Sequence, residues 1–100
     1  MKRKSKPTKE KIWMELLINV MDNPQVPVSS PFAENGLIES IFFYYENKKD
    51  LVQGIIWCSV THQAIHVGKL PANSMVHEVH SDYDTIKKRI PPLQIVMMVN

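Results

Sequence analysis

The stretch that decides the fold runs over residues 37–67 and reads LIESIFFYYENKKDLVQGIIWCSVTHQAIHV. Its aromatic and β-branched content favours strands, but the apolar residues of its first part do not alternate cleanly with polar ones. In its second part Leu51, Ile55 and Cys58 fit helical spacing, while Trp57 and Val60 belong to residue types enriched in strands. The pattern of these residues leaves helix and strand open. We expect a mainly α fold with a helix-turn-helix in the N-terminal half, with an α+β fold containing a small antiparallel sheet as the alternative.

The helix upstream of this stretch is the most clearly encoded element. Thr8 is a favourable N-cap, and Glu10 places negative charge in the first turn. Asp22, Asn23 and Pro24 end the helix. The residues that form its broad apolar stripe are Ile12, Trp13, Leu16, Leu17, Val20 and Met21.

Shorter elements are predicted on either side of residues 37–67. Ser30 followed by Pro31 is typical of a helix start, so a short helix is expected over residues 31–35, followed by an Asn-Gly turn. A second short helix is expected over residues 83–89. The apolar residues 94–99 are expected to form an edge strand or a helix-packing segment.

Composition and charge indicate one small domain with a basic tail. The chain has 100 residues, of which 44% are hydrophobic and 22% charged, as is ordinary for a globular domain. Six of the twelve basic residues lie in the first eleven positions. We therefore expect residues 1–7 to be a disordered basic arm and residues 8–100 to form a single domain. Such an arm suits contact with a polyanion, and the alternative is a solvated tail.

Cysteine usage and hydropathy predict a cytoplasmic or nuclear protein without a membrane partner. Cys58 is the only cysteine, which excludes a disulfide within the chain. The longest apolar run, residues 54–60, is far shorter than a membrane span. The apolar stretch near the start is interrupted by Glu15 and Asn19, and no small-residue cleavage site follows it, unlike a signal peptide.

Residues 40–51, SIFFYYENKKDL, resemble the end of the DNA-binding module of the tetracycline-repressor (TetR) family. Residues 8–12, after a basic stretch, are similar to the start of that family's first helix. The resemblance implies a helix-turn-helix over residues 8–57. It also implies that Tyr44 and Lys48 contact DNA phosphates.

The first functional hypothesis is therefore a small DNA-binding protein that acts as a transcriptional regulator. The arm would attract duplex DNA, and the start of the second helix would meet base edges. Residues 58–100 would be a C-terminal extension that completes the core or supports a homodimer. The predicted DNA-contacting residues are Lys2, Arg3, Lys4, Lys6, Ile38, Glu39, Ser40, Tyr44 and Lys48.

The second hypothesis is a non-enzymatic α+β domain that binds another protein. Residues 41–45 and 55–60 would then pair as strands against the first helix. The apolar residues 95–99 would be the contact surface, since a nearly continuous apolar segment is costly when exposed.

The third hypothesis is metal binding by four histidines. His62 and His66 are four residues apart, while His77 and His80 are three apart, so helical segments would offer a four-nitrogen site suited to zinc, copper or nickel. On a strand His62 and His66 would lie about 13 Å apart. Gln63 stands where zinc peptidases carry their glutamate base, so peptidase chemistry is not expected.

Catalysis is not predicted for this chain. The sequence contains neither a glycine-rich phosphate loop nor a nucleophile elbow. Cys58 and His62 would form a thiolate pair on a helix, but the apolar neighbours of Cys58 favour a buried, inert thiol.

Overall fold

The computed structural model describes residues 8–100, which form a mixed six-stranded sheet with helical segments on both faces. The predicted arm of residues 1–7, with Lys2, Arg3, Lys4 and Lys6, lies outside the described residues. The elements are α1 (Lys9–Asp22), β1 (Val28–Ser29), β2 (Leu37–Tyr45), β3 (Lys48–Cys58), β4 (Gln63–Pro71), β5 (Val79–His80), α2 (Tyr83–Ile86) and β6 (Gln94–Val99). Short 3-10 helices at Ala72–Ser74 and Lys87–Arg89 complete the chain.

Three long strands form the centre of the sheet. The spatial order is β1-β2-β3-β4-β6, and β5 pairs with β2. Neighbouring strands from β1 to β4 are antiparallel, whereas β6 runs parallel to β4 and β5 runs parallel to β2. The chain therefore makes a meander of β2, β3 and β4 and then returns to add one strand at each margin.

The helix-turn-helix interpretation is wrong. Residues 37–45, where the helix-turn-helix interpretation places the start of the second helix, form strand β2, which pairs with strand β3 over residues 48–58. Consecutive residues of both strands are buried because the sheet is covered on both faces. A strand buried on both faces has no polar alternation, so its pattern does not distinguish it from a buried helix.

The mainly α prediction is also wrong. The α+β alternative is confirmed, with β2 and β3 paired antiparallel, but the sheet is mixed rather than antiparallel because β5 and β6 join it in parallel. The expected helix at residues 31–35 is a succession of turns, in which Asn35 has a φ of 61°. The expected helix over residues 83–89 is present as α2 followed by a 3-10 helix. Residues 94–99 form a strand, β6.

Helix α1 forms as its sequence predicts. The hydroxyl oxygen of Thr8 accepts a hydrogen bond from the backbone N–H of Lys11 at 3.2 Å, which satisfies one free donor of the first turn. The helix ends at Asp22. No helix within residues 8–100 is long and apolar enough to cross a membrane.

Two apolar cores lie on opposite faces of the sheet. The residues buried between α1 and the sheet are Trp13, Leu16, Leu17, Val20, Ile38, Phe42, Val52, Ile56, Cys58, Ile65 and Val67. The residues buried in the core on the opposite face, which we call the second face, are Ile41, Phe43, Ile55, Trp57, Ala64 and Ile86. Ile90 and Leu93, in the segment after α2, pack against this second core.

We predict that Gly54→Ala destabilises the protein by about 1–3 kcal/mol through overpacking. Gly54 lies directly opposite Phe42 in the β2–β3 pair, and a Cβ at Gly54 would lie 2.6 Å from the Phe42 ring. Chemical denaturation measures the cost. A double variant with Phe42→Leu provides the control, because it should lose less stability than the two single changes added together. Strictly additive costs would contradict the close contact.

Candidate functional site

The outer edge of β6 is free of strand pairing by any residue in the range 8–100. On its inner side β6 pairs with β4. Ile95, Val96 and Met98 are 45%, 40% and 65% exposed, which is high for large apolar side chains in a strand. The segment QIVMMV contains no charged residue and no proline, two of the features that natural edge strands use against unwanted pairing.

The opposite margin of the sheet is covered. Val28 and Ser29 of β1 pair with the first two residues of β2, and Val79 and His80 of β5 pair with Phe42 and Phe43 further along it. Two short segments thus occupy the outer edge of β2. Within residues 8–100, β6 is therefore the long strand whose outer edge is open.

A bulge in β6 determines which side chains lie on each face. Ala64 pairs with Ile95 and the next residue of β4 pairs with Met97, so Val96 is an extra residue. Met97 packs against the core beneath α1. Ile95 and Met98 lie on the second face, where both line a groove.

This groove is an open, mainly apolar cavity of about 660 Å³ between the sheet and the segment after α2. Ile55 of β3 and His66 of β4 contribute to its sheet side. The remaining lining residues are Tyr83, Ile90, Pro91, Pro92, Leu93, Ile95 and Met98. The groove is therefore continuous with the open margin of β6, and the two form one surface, which we call the β6 surface.

His66 supplies the groove with an uncharged, hydrogen-bonded ring. Its Nε2 lies 2.8 Å from Oε1 of Gln53. Since that oxygen accepts, Nε2 donates, and Nδ1 of the neutral ring carries a lone pair. Burial lowers the pKa of His66, which favours this neutral form. Nδ1 is buried and has no hydrogen-bond partner among residues 8–100.

Two of the predicted metal ligands have structural environments of their own. His77 donates from Nε2 to the carbonyl oxygen of Val20 at 2.7 Å, and its ring packs on Phe42 with centroids 4.6 Å apart. His62 lies in the turn between β3 and β4 with a φ of 58°, a conformation that histidine adopts more readily than most residues. His77 therefore holds the end of α1 against the sheet, and His62 is part of a turn.

The structure does not bring the four histidines together. His77 contacts α1 on one face of the sheet, whereas His66 lies on the second face. His80 belongs to β5, and its Nδ1 lies 3.8 Å from a carboxylate oxygen of Glu78. Among the described residues no three histidine, cysteine or acidic side chains form a group suited to a metal ion. Zinc binding stays a prediction.

The predicted DNA-contacting residues of the folded part lie along β2 and at the start of β3. Ile38 is buried beneath α1, and Ser40 and Tyr44 are half-buried. Glu39 and Lys48 are exposed. These five residues are spread along a hairpin rather than presented by a helix. DNA binding by the basic arm stays a prediction.

Cys58 is a buried thiol held by two donors. The hydroxyl of Ser30 donates to its Sγ at 3.0 Å, and the backbone N–H of Thr61 donates at 3.5 Å. Burial raises the pKa of the thiol, but hydrogen bonding by Ser30, by the side chain and backbone of Thr61 and by the backbone of Val60 outweighs that effect and brings the pKa down from 9.0 to about 7. The side chain is fully shielded from solvent. Through its two hydrogen bonds the thiol connects the loop before β2 to the turn after β3.

Sequence reasoning predicted a contact surface at residues 95–99, which stays a prediction, and it did not predict the groove beside them. The missed lining residues come from β3, β4 and the segment after α2. A signal was present, because Ile86, Ile90 and Leu93 recur every three to four residues just before the strand. That recurrence indicates a segment with one apolar side facing the sheet. Comparison with protein families, with curated proteins and with solved structures found no match to this chain.

We predict that His77→Phe costs about 1 kcal/mol and that His77→Ala costs about 1–3 kcal/mol. Phenylalanine keeps a ring against Phe42 but leaves the Val20 carbonyl, in the last turn of α1, without its donor. Alanine removes both interactions. Urea denaturation of the two variants separates them. A phenylalanine variant as stable as the original chain would show that the hydrogen bond contributes nothing.

We predict that ionisation of Cys58 makes the folded state more stable as the pH rises from about 7 to 9. The pKa is about 7 in the folded chain against 9.0 for an ordinary thiol, so the unfolded chain binds more protons in this range. The contribution is fully present above pH 9 and is lost as the pH falls through about 7. Its upper limit is about 2–3 kcal/mol.

Denaturation across this pH range checks the prediction, with Cys58→Ala as the control. The alanine variant should lack the rise that the original chain shows. Parallel stability profiles for the two proteins would contradict a lowered thiol pKa.

Proposed function

We propose that this chain is a non-enzymatic protein-interaction domain whose β6 strand accepts an extended segment of a polypeptide as an additional strand. The observation that carries the proposal is the outer edge of β6, which is uncharged across Gln94–Val99 and has no strand partner within the described residues 8–100. Recognition by strand addition uses such an edge for backbone hydrogen bonds and neighbouring pockets for alternate side chains.

The strand edge and the apolar groove of the β6 surface would make different contributions to the free energy of binding. The backbone N–H and C=O groups of β6 would replace hydrogen bonds to water with hydrogen bonds to the partner's backbone, with a net gain of about 0.5–1.5 kcal/mol for each hydrogen bond. Side chains of the added strand on the second face would cover Ile95 and Met98, which are 45% and 65% exposed. Burial of apolar surface contributes about 25 cal/mol for each Å² removed from water.

The chemistry of the groove supports binding rather than catalysis. The ring of His66 is paired with the amide of Gln53, not with a carboxylate or a nucleophile. A general base needs a reacting proton within hydrogen-bond reach, and Nδ1 of His66 is buried. An apolar groove with one neutral ring in its lining suits the side chains of an apolar peptide.

Titration with a short synthetic peptide tests strand addition. The probe is a capped peptide of alternating valine and threonine, and the control is the same peptide with alternate backbone amides N-methylated. We expect amide resonances of β6 and β4 to shift with the first peptide in heteronuclear NMR spectra, and the response to vanish with the second. Equal responses to both peptides, or shifts confined to other elements, would overturn strand addition as the mode of binding.

A pair of matched variants locates the binding surface. Val96→Lys places a charge on β6, while Val26→Lys makes the same change in the loop after α1, where Val26 is 60% exposed. Only the first should weaken peptide binding, by about tenfold or more. Equal effects of the two variants would place the binding surface away from β6.

A further inference from the structure

We infer that the strand added to β6 comes from a second copy of this chain, so that two β6 strands pair antiparallel about a two-fold axis. The inference rests on the proposed function and identifies the partner at the same surface. The six strands of each copy would then form one continuous sheet through the dimer. Such an interface is isologous, because both copies use the same residues.

Charge along the margin supports an identical partner. Residues 91–100 contain no ionisable side chain, whereas residues 82–89 contain both acidic and basic ones. Two identical charged edges repel each other, and natural proteins use charges on edge strands to prevent such pairing. A foreign partner is commonly selected by complementary charge. The β6 edge offers no charge to select a foreign partner and none to repel a copy.

The bulge in β6 allows Ile95 and Met98, which both line the groove, to oppose each other across a two-fold axis. In a regular strand, residues three positions apart point to opposite faces. The extra residue Val96 instead places Ile95 and Met98 on the same face. If the two-fold axis passes between Val96 and Met97, Ile95 of one copy lies across from Met98 of the other. Directly opposed side chains share a face in an antiparallel pair, so each apolar side chain is covered by its counterpart.

The groove adds apolar area close to the same axis. Ile90 and Leu93 line it beside β6, so the grooves of the two copies would open toward each other along the shared margin. The exposed side chains of Ile95 and Met98 would become covered by the second copy. A dimer would therefore bury the apolar part of the surface together with the unpaired backbone of the strand.

Sedimentation velocity over a range of concentrations from micromolar to millimolar tests the inference with the full chain. We expect a reversible monomer–dimer equilibrium. Val96→Lys should raise the dissociation constant by about tenfold or more, because each lysine lies opposite Met97 of the other copy and the two lysines are diagonal neighbours near the axis, while Val26→Lys should leave it unchanged. Circular dichroism of each variant verifies that the folded state is retained.

A charge-complementation experiment tests the same pairing of β6 strands even if one of the variants loses stability. Val96→Lys and Val96→Glu should each be mainly monomeric, and an equimolar mixture should recover the dimer as a heterodimer. Recovery supports the two-fold pairing of β6. A dimer that is insensitive to Val96→Lys, or a mixture that stays monomeric, overturns it.

The outcome also separates this inference from the proposed function. If the chain is monomeric at every concentration but binds the valine–threonine peptide and not its N-methylated form, strand addition stands and the second copy is excluded as its source. If it neither dimerises nor binds the peptide, both proposals fail.

Discussion

Burial of β3 on both of its faces is the constraint on which the rest of the structure depends. Ile56 and Cys58 face the core beneath α1, while Ile55 and Trp57 face the second core. A strand with apolar side chains on both faces is stable only when each face of its sheet is covered. The amphipathic helix before the sheet and the segment that follows β5 are therefore both required by the central strand.

The helical segments that pack on the two faces of the sheet differ in length, and this difference leaves the groove of the candidate site open. Helix α1 has fourteen residues and packs along one face, whereas α2 has four and is followed by a single 3-10 turn and two prolines. The smaller cover buries Ile86 but leaves an apolar groove beside β6. The groove is open because the segment that crosses the second face is short, and it lies beside the margin of β6 that no strand within residues 8–100 covers.

The histidines are spaced as metal ligands would be on a helix, but in the structure they make contacts that stabilise the fold. His77 binds a carbonyl in the last turn of α1, and His62 adopts a positive φ in a tight turn. His66 forms a hydrogen bond with Gln53, thirteen residues earlier on the neighbouring strand. Spacing of four residues brings two side chains within reach of one metal ion only on the assumed helix, and on these strands and turns the same histidines contact different neighbours.

Local sequence determined α1 with its Thr8 cap, the turn at Asn35 and Gly36, and the apolar character of residues 94–99, because caps, turn residues and helical periodicity act within a few positions. Only the tertiary structure decided that residues 37–67 are strands. Ile41, Phe42 and Phe43 are all buried, and a two-sided strand carries no alternation to identify it. The groove could not be predicted from the sequence either, since Ile55, His66 and Leu93 become neighbours only when separate parts of the chain pack together.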